Sequence, residues 1–288
     1  MRLLGIDFTS APSRVHPLWF AHATFDDAAN LLTVNRLESH TSFAAFDSVL
    51  AHSPDQTLLA IDAPFGLPLA FLDWAGLTGS WHSAIPAIAA MGDRGFESLI
   101  TRFRTKQPDG AKHPLRPCDH LAGAASPINI VRPPVGKMFF QCATRLARSD
   151  WRIVPCRERD ATRIAVEAYP ALVARTLIGR ASYKGGADAA TRLDRQRSRE
   201  LLLSRLLRQG NDKDDTRLAD RYGLRVQLSS TSLRDQALSD EDANALDAIL
   251  CCVQASWAWT QRTHGLGVAA TADPREGWII DPATTSPR

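Results

Sequence analysis

Asp7, Asp62 and Asp247 each stand where the chain can aim a carboxylate at a shared point, and carboxylates gathered at one point are the chemistry of a divalent cation. Leu3-Leu4-Gly5-Ile6-Asp7-Phe8 and Leu58-Leu59-Ala60-Ile61-Asp62-Ala63-Pro64 read as buried apolar strands whose last residues carry an Asp into a turn. Asp240-Glu241-Asp242-Ala243-Asn244-Ala245-Leu246-Asp247 reads as a helix with acids on one side. Asp240, Asn244 and Asp247 fall at i, i+4 and i+7, one helical face. Plainer readings stand beside these. Asp62, before Ala63-Pro64, also suits a turn or a helix cap. Asp240 can cap the helix, with Glu241 and Asp242 complementing its dipole. Neither explains Asp247, two turns in among apolar residues. A carboxylate inside a central strand, as at Asp7, is costly unless it meets a cation or a donor.

Further polar residues fit such a site less specifically. Glu167, at the tail of Arg163-Ile164-Ala165-Val166-Glu167, is either an edge-exposed charge or a fourth ligand. Lys184, in Ser182-Tyr183-Lys184-Gly185-Gly186, is either a phosphate-holding cation or a solvated loop lysine. Thr9 and Ser10, just beyond Asp7, are further candidates to touch a substrate. His113, Cys118, Asp119 and His120 lack the paired spacing of a zinc site. Trp74 and Trp81 could stack on bases or fill a core. No G-x-S-x-G and no G-x-x-x-x-G-K pattern occurs.

The elements that must position these residues follow from periodicity. Strands at 2–8, 15–24 and 31–38, the last two separated by an Asp/Asn turn at 25–30, predict an antiparallel meander. A helix at 41–52, with Ser42 as cap, leads to a fourth strand at 57–62. Residues 64–135, rich in Gly, Pro, Trp and His, predict an insertion or lid with short helices. Helices follow at 137–148, after Tyr169-Pro170 and over 191–209, where Leu201, Leu202, Leu203, Leu206 and Leu207 oppose Arg195, Arg199, Arg205 and Arg208. A fifth strand lies at 163–167, a long helix at 240–262, and a last hairpin pairs 268–270 with 278–280. One domain over 1–288 is expected.

The 288 residues carry a net charge of only +3, unevenly spread. Residues 1–101 hold 4 Lys/Arg against 10 Asp/Glu, whereas 102–163 hold 13 against 5. The basic middle is a solvated loop region or a positive wall facing a polyanion. No apolar run approaches the roughly 20 residues of a membrane helix. No basic leader with a cleavage site is evident, and the 5 cysteines are odd in number and lack metal-type spacing. Those features predict a cytoplasmic protein.

Four segments together carry a resemblance: Gly5-Ile6-Asp7-Phe8-Thr9-Ser10-Ala11-Pro12, Ile61-Asp62-Ala63-Pro64-Phe65-Gly66-Leu67-Pro68, Val166-Glu167-Ala168-Tyr169-Pro170 and Ala245-Leu246-Asp247-Ala248. The chain resembles the domain-of-unknown-function family 429, predicted RNase H-like nucleases. The resemblance implies an α/β fold: an RNase H-like mixed five-stranded sheet in order 3-2-1-4-5, flanked by helices, with the basic insertion between strands four and five. It implies a Mg2+- or Mn2+-dependent nuclease acting on DNA or RNA, with Asp7, Asp62, Asp247 and Glu167 as ligands and Asp7 bridging two ions. Asn244 stands where related Holliday-junction resolvases present an acid, and a neutral oxygen holds a second ion more weakly. Two rivals share the fold. One is a nucleic-acid-binding module without cleavage. The other is an actin-like or sugar-kinase-like phosphotransferase, which Gly5-Ile6-Asp7-Phe8-Thr9-Ser10 also resembles but which needs a second copy of the fold.

Overall fold

A computed structural model describes residues 1–207 and 217–285. In chain order its elements are β1 (Arg2–Asp7), β2 (Leu18–Asp26), β3 (Leu31–His40), α1 (Ala44–His52), β4 (Thr57–Ile61), α2 (Leu69–Trp74), α3 (Trp81–Lys106), α4 (Pro117–Ala122) and α5 (Val135–Arg148). There follow β5 (Arg152–Val154), β6 (Arg163–Glu167), α6 (Ala171–Ile178), α7 (Ala189–Leu206), α8 (Arg217–Tyr222), β7 (Arg225–Leu228), α9 (Thr231–Ser239), α10 (Asn244–Thr260) and a 3-10 turn over Arg262–Gly267.

The strands form one mixed sheet in the order β5-β6-β4-β1-β2-β3-β7. It therefore has seven strands rather than five. The two extra strands, of 3 and 4 residues, extend the edges and are too short to show a period in sequence. β1, β2 and β3 run antiparallel in succession, while β4, β6 and β5 run parallel to β1. The turn between β2 and β3 is set by Asp26, whose Oδ1 accepts the backbone N–H of Ala28 and Ala29.

Both faces of the central strands are covered, so β1 beyond Arg2 and all of β4 are buried rather than alternating. On one face Leu3, Ala60 and Val166 pack with α6, α7 and α10. On the other, Leu4, Ile6, Leu59 and Ile61 pack with Phe46, Phe71, Trp81, Phe96 and Phe139. The 64–135 segment is thus joined to the second face of the sheet. Its main element is long, not short: α3 places Trp81, Ile85, Ile88, Phe96, Ile100 and Phe103 toward that core. The helix breaks at Gly92, whose φ is 69°, so its periodicity is hidden by glycine and proline. Trp81 is wholly buried and donates Nε1–H to the carbonyl of Phe65 at 2.6 Å, and Trp74 packs edge-on to Phe103. Neither ring is presented for stacking on bases.

Three further boundaries differ from the sequence reading. α1 starts at Ala44 and Ser42 does not cap it. α10 starts at Asn244, because Ala243 takes a left-handed φ of 59° that ends the preceding turn. Residues 268–270 and 278–280 form no hairpin; Ile279 instead bridges Glu167 in parallel. Arg208 lies outside the described residues.

α10 approaches the sheet closely because both partners are small. A Cβ on Gly5 would meet the carbonyl of Ala248 at 2.1 Å. Cys252 donates Sγ–H to the carbonyl of Ala21 at 3.2 Å. Gly5 and Asp7 share a face of β1, since side chains alternate along a strand. The contact that admits α10 at Gly5 therefore also sets Asp7 against it.

Candidate metal centre

Asp7 ends β1, and Asp62 lies one residue past β4. The strands are parallel with Ile6 opposite Ile61, and Asp62 donates its N–H to the carbonyl of Ile6 at 2.9 Å. The two carboxylates thus leave the same end of neighbouring strands. Asp247, one turn into α10, completes the group: ligand oxygens of Asp7, Asp62 and Asp247 all lie within 4.8 Å of one another. Among the described residues no other group of His, Cys, Asp or Glu gathers in this way.

Such a group is electrostatically expensive. Burial raises Asp7 well above the usual carboxylate range, and Asp247, Asp62 and Asp240 push the same way against the opposing Lys184. Burial and the charge of Asp247 push Asp62 up to about 7. The countercharge comes from Lys184, whose ammonium pairs with Asp247 Oδ2. Burial works to lower the Lys184 pKa, but Asp247 and Asp7 outweigh it and raise it. Tyr183 donates its hydroxyl to Asp247 Oδ1 at 2.8 Å.

Lys184 is therefore not a solvated loop lysine. Its loop is pinned: Gly185 donates N–H to the carbonyl of Glu241 at 2.8 Å, and Arg199 Nη1 donates to the carbonyls of Tyr183 at 3.1 Å and Glu241 at 3.0 Å. Gly185 and Gly186 have φ of 59° and 152°, which only glycine adopts readily. The Tyr-Lys-Gly-Gly run was the visible signal for Tyr183, which the sequence reading did not assign.

Glu167 stands apart from the three carboxylates. It is buried within a different cluster, where Arg116 Nη2 donates to its Oε1 at 2.5 Å and Arg116 Nη1 to its Oε2 at 2.9 Å. Phe65 N–H also donates to Oε2 at 2.9 Å. Glu167 is thus an ion-pair partner of Arg116 and lies outside the group formed by Asp7, Asp62 and Asp247. Burial raises its pKa and Arg116 opposes the rise. Asp119 chelates the same guanidinium at 2.9 and 2.8 Å, which removes it from any zinc set. Asn244 lies one turn before Asp247 at the start of α10, half-buried. Asp240 precedes the helix and accepts the N–H of Ala245 at 2.8 Å, a cap as the plainer reading held. Thr9 and Ser10 follow the β1 carboxylate in a half-exposed connection, where Thr9 Oγ1 accepts the N–H of Ala11 at 3.5 Å.

Beside Lys184 opens a groove of about 680 Å3, lined also by Arg175, Arg180, Tyr183 and Arg195. Of the basic 102–163 segment only Gly123 lines it, and several of the segment's cations pair with local acids. Lys112 pairs with Asp109, Lys137 with Glu97, Arg145 with Asp47, Arg152 with Glu158 and Arg163 with Asp150. Arg157 caps four carbonyls between Leu146 and Trp151. The groove's cations lie on α6, on the loop before α7 and on α7 instead.

The molecule is a mixed α/β protein whose seven-stranded sheet, flanked by helices, gathers three carboxylates, two buried and one half-buried, at one end of its central strands. The model of the family described as "Protein of unknown function (DUF429)" matches residues 5–271, and the chain belongs to that family. No curated protein and no solved structure matches the chain. No helix among the described residues is long and apolar enough to cross a membrane.

Proposed function

We propose that this chain is a divalent-metal-dependent hydrolase of nucleic-acid phosphodiester bonds, built on an RNase H-like sheet. The observation that carries the reading is the carboxylate group of Asp7, Asp62 and Asp247, joined through the Lys184–Asp247 pair to a groove that Lys184 lines with Arg175, Arg180 and Arg195. The adjacency of β3, β2, β1, β4 and β6 supports the fold assignment. The five cysteines are all free and buried, in keeping with a cytoplasmic setting.

The donor set suits magnesium or manganese. Both prefer hard oxygen ligands, and the site already draws a cation, the Lys184 ammonium, onto Asp247. Asp7, Asp62 and Asp247 would hold the metal. When bound, a divalent ion supplies charge neutralisation at a phosphoryl oxygen and lowers the pKa of water. The chain's own residues supply the rest. Arg175, Arg180 and Arg195 attract and orient a phosphate backbone. Lys184, half-exposed at the junction of groove and carboxylates, can shift from Asp247 to a phosphate oxygen. Tyr183 keeps Asp247 oriented while it does so.

Asn244 favours one second reading, a binding module that does not cleave, because it offers a neutral oxygen where an acid would hold a further ion. A cleavage assay separates the two. The full chain is incubated with end-labelled single-stranded and branched DNA and RNA in MgCl2, in MnCl2 and in EDTA. The proposal expects cleavage with metal only, abolished by Asp7→Asn. Tight, salt-sensitive binding without cleavage in either metal overturns it in favour of the binding module.

A further inference from the structure

A second cavity borders the carboxylates. It holds about 150 Å3, with Asp62 on its edge and walls of Ala63, Ala125, Val135, Met138, Ala168 and Ile279. Lys184 lines the groove, Asp62 lines this cavity, and both meet at Asp247. The two spaces also touch through Tyr169, on the cavity, and Arg175, on the groove. The guanidinium of Arg175 lies 5.5 Å from the Tyr169 ring centre and donates Nη2–H to its hydroxyl at 3.4 Å. A strand with its backbone in the groove and a phosphate at the carboxylates therefore has an apolar recess within reach of one adjoining base.

Size and polarity narrow what enters. An apolar cavity of about 150 Å3 admits one six-membered ring. The polar lining is Arg116, Asp119 and Glu167, all buried, with Asp62 and Tyr169, both half-buried. Arg116 has no N–H to spare. Nε donates to Asp119, Nη1 to Glu167 and the Glu276 carbonyl, and Nη2 to Asp119 and Glu167. Glu167 Oε1 and Asp119 Oδ1 each accept one hydrogen bond within the protein, so each keeps a lone pair. The polar lining offers carboxylate acceptors and one side-chain donor, the hydroxyl of Tyr169. It repels an anion and a ring whose carbonyls face the carboxylates, and it suits a neutral ring with an amino group for the carboxylates and a carbonyl for Tyr169.

We infer that this cavity seats a cytosine base of the bound strand. The inference rests on the nucleic-acid reading above and adds to it a base preference next to the reacting phosphate.

The test is an NMR titration of the metal-free full-length chain with cytidine, uridine and ribose. Cytidine should shift the amides of Ala63, Ala125 and Ala168 and bind about tenfold more tightly than uridine, whose carbonyl edge would face the carboxylates. Ribose should leave those amides unmoved. Ala125→Leu and Met138→Trp, on different segments, fill the cavity and should each remove the cytidine response, with circular dichroism showing that the fold persists. Equal cytidine and uridine affinity, shifts confined to other amides, or an undiminished response in the folded variants overturns the inference. The wild-type shift map decides the matter even where a variant fails to fold. Cleavage of oligonucleotides with no base preference overturns the cavity assignment and leaves the hydrolase reading standing. Cytidine binding at these amides without cleavage of any oligonucleotide supports the cavity and overturns the hydrolase reading.

Discussion

Replacing Asp62 by Asn should stabilise the metal-free protein. Its carboxylate shares a space within 4.8 Å of those of Asp7 and Asp247. At an effective dielectric near 20, two like charges at that separation repel by about 3 kcal/mol. Burial, with the charge of Asp247, raises the Asp62 pKa in the same direction. Its folded pKa is about 7 against 3.8 for the free side chain, which corresponds to about 4 kcal/mol against the ionised form. Between those values the folded state holds a proton that the unfolded state releases, so wild-type stability falls as pH rises through this window. Asn removes that loss. With Lys184 offsetting part of the repulsion, the expected gain is about 3 kcal/mol at about pH 8, or roughly 6 °C in Tm. It should shrink to within about 1 kcal/mol at about pH 4.5, where the wild-type carboxyl is protonated. Differential scanning calorimetry in EDTA at both pH values measures it. MnCl2 should raise the wild-type Tm at pH 8, because ligands must be deprotonated to bind, and should raise that of Asp62→Asn far less. A variant less stable than wild type at both pH values, or one that manganese stabilises equally, refutes the electrostatic account.

Three other substitutions probe separate parts of the structure. Glu167→Gln leaves the Arg116 guanidinium buried with less countercharge, so it should cost about 3 kcal/mol by urea denaturation; manganese stabilisation should persist, since Glu167 lies outside the group formed by Asp7, Asp62 and Asp247. Gly5→Ala drives a methyl to 2.1 Å from the Ala248 carbonyl and should destabilise by about 3 kcal/mol or abolish folding; wild-type stability would mean that α10 does not lie against β1 as described. Lys184→Ala removes a half-exposed countercharge. It should cost the metal-free protein only about 1 kcal/mol and tighten manganese binding in calorimetric titration, because no ammonium then competes for Asp247. An unchanged or weaker affinity contradicts that role.

The carboxylate centre was legible in sequence because its members sit at readable places. Asp7 and Asp62 close apolar runs before turns, and Asp247 is an acid where a helix is otherwise buried. The ion pair of Glu167 was not legible because its partner, Arg116, lies 51 residues away in a loop, and no local pattern announces a contact made only by tertiary packing. The same holds for the basic segment: its charge was visible, but its pairing with Asp47, Glu97 and Asp150 was not. α3 was obscured because Pro86 and Gly92 interrupt a helix whose apolar face is nonetheless regular. The groove cations were seen in part. Arg195 stood out on an amphipathic helix, whereas Arg175 and Arg180 gained meaning only once α6 lay beside the Tyr183-Lys184 loop.

The central claim is that metal held by Asp7, Asp62 and Asp247 acts on the phosphate being cleaved. Phosphorothioate substitution at the cleaved position tests it most directly, because sulfur is a poor ligand for magnesium and a better one for softer ions. Single-turnover cleavage of the oxygen and sulfur substrates is compared in MgCl2 and in MnCl2. The account predicts that one sulfur diastereomer slows magnesium-supported cleavage by about 100-fold, that manganese restores most of the rate, and that Asp7→Asn is inactive on both substrates in either metal. Equal rates for both diastereomers in magnesium, or cleavage by Asp7→Asn at the wild-type rate, would contradict it.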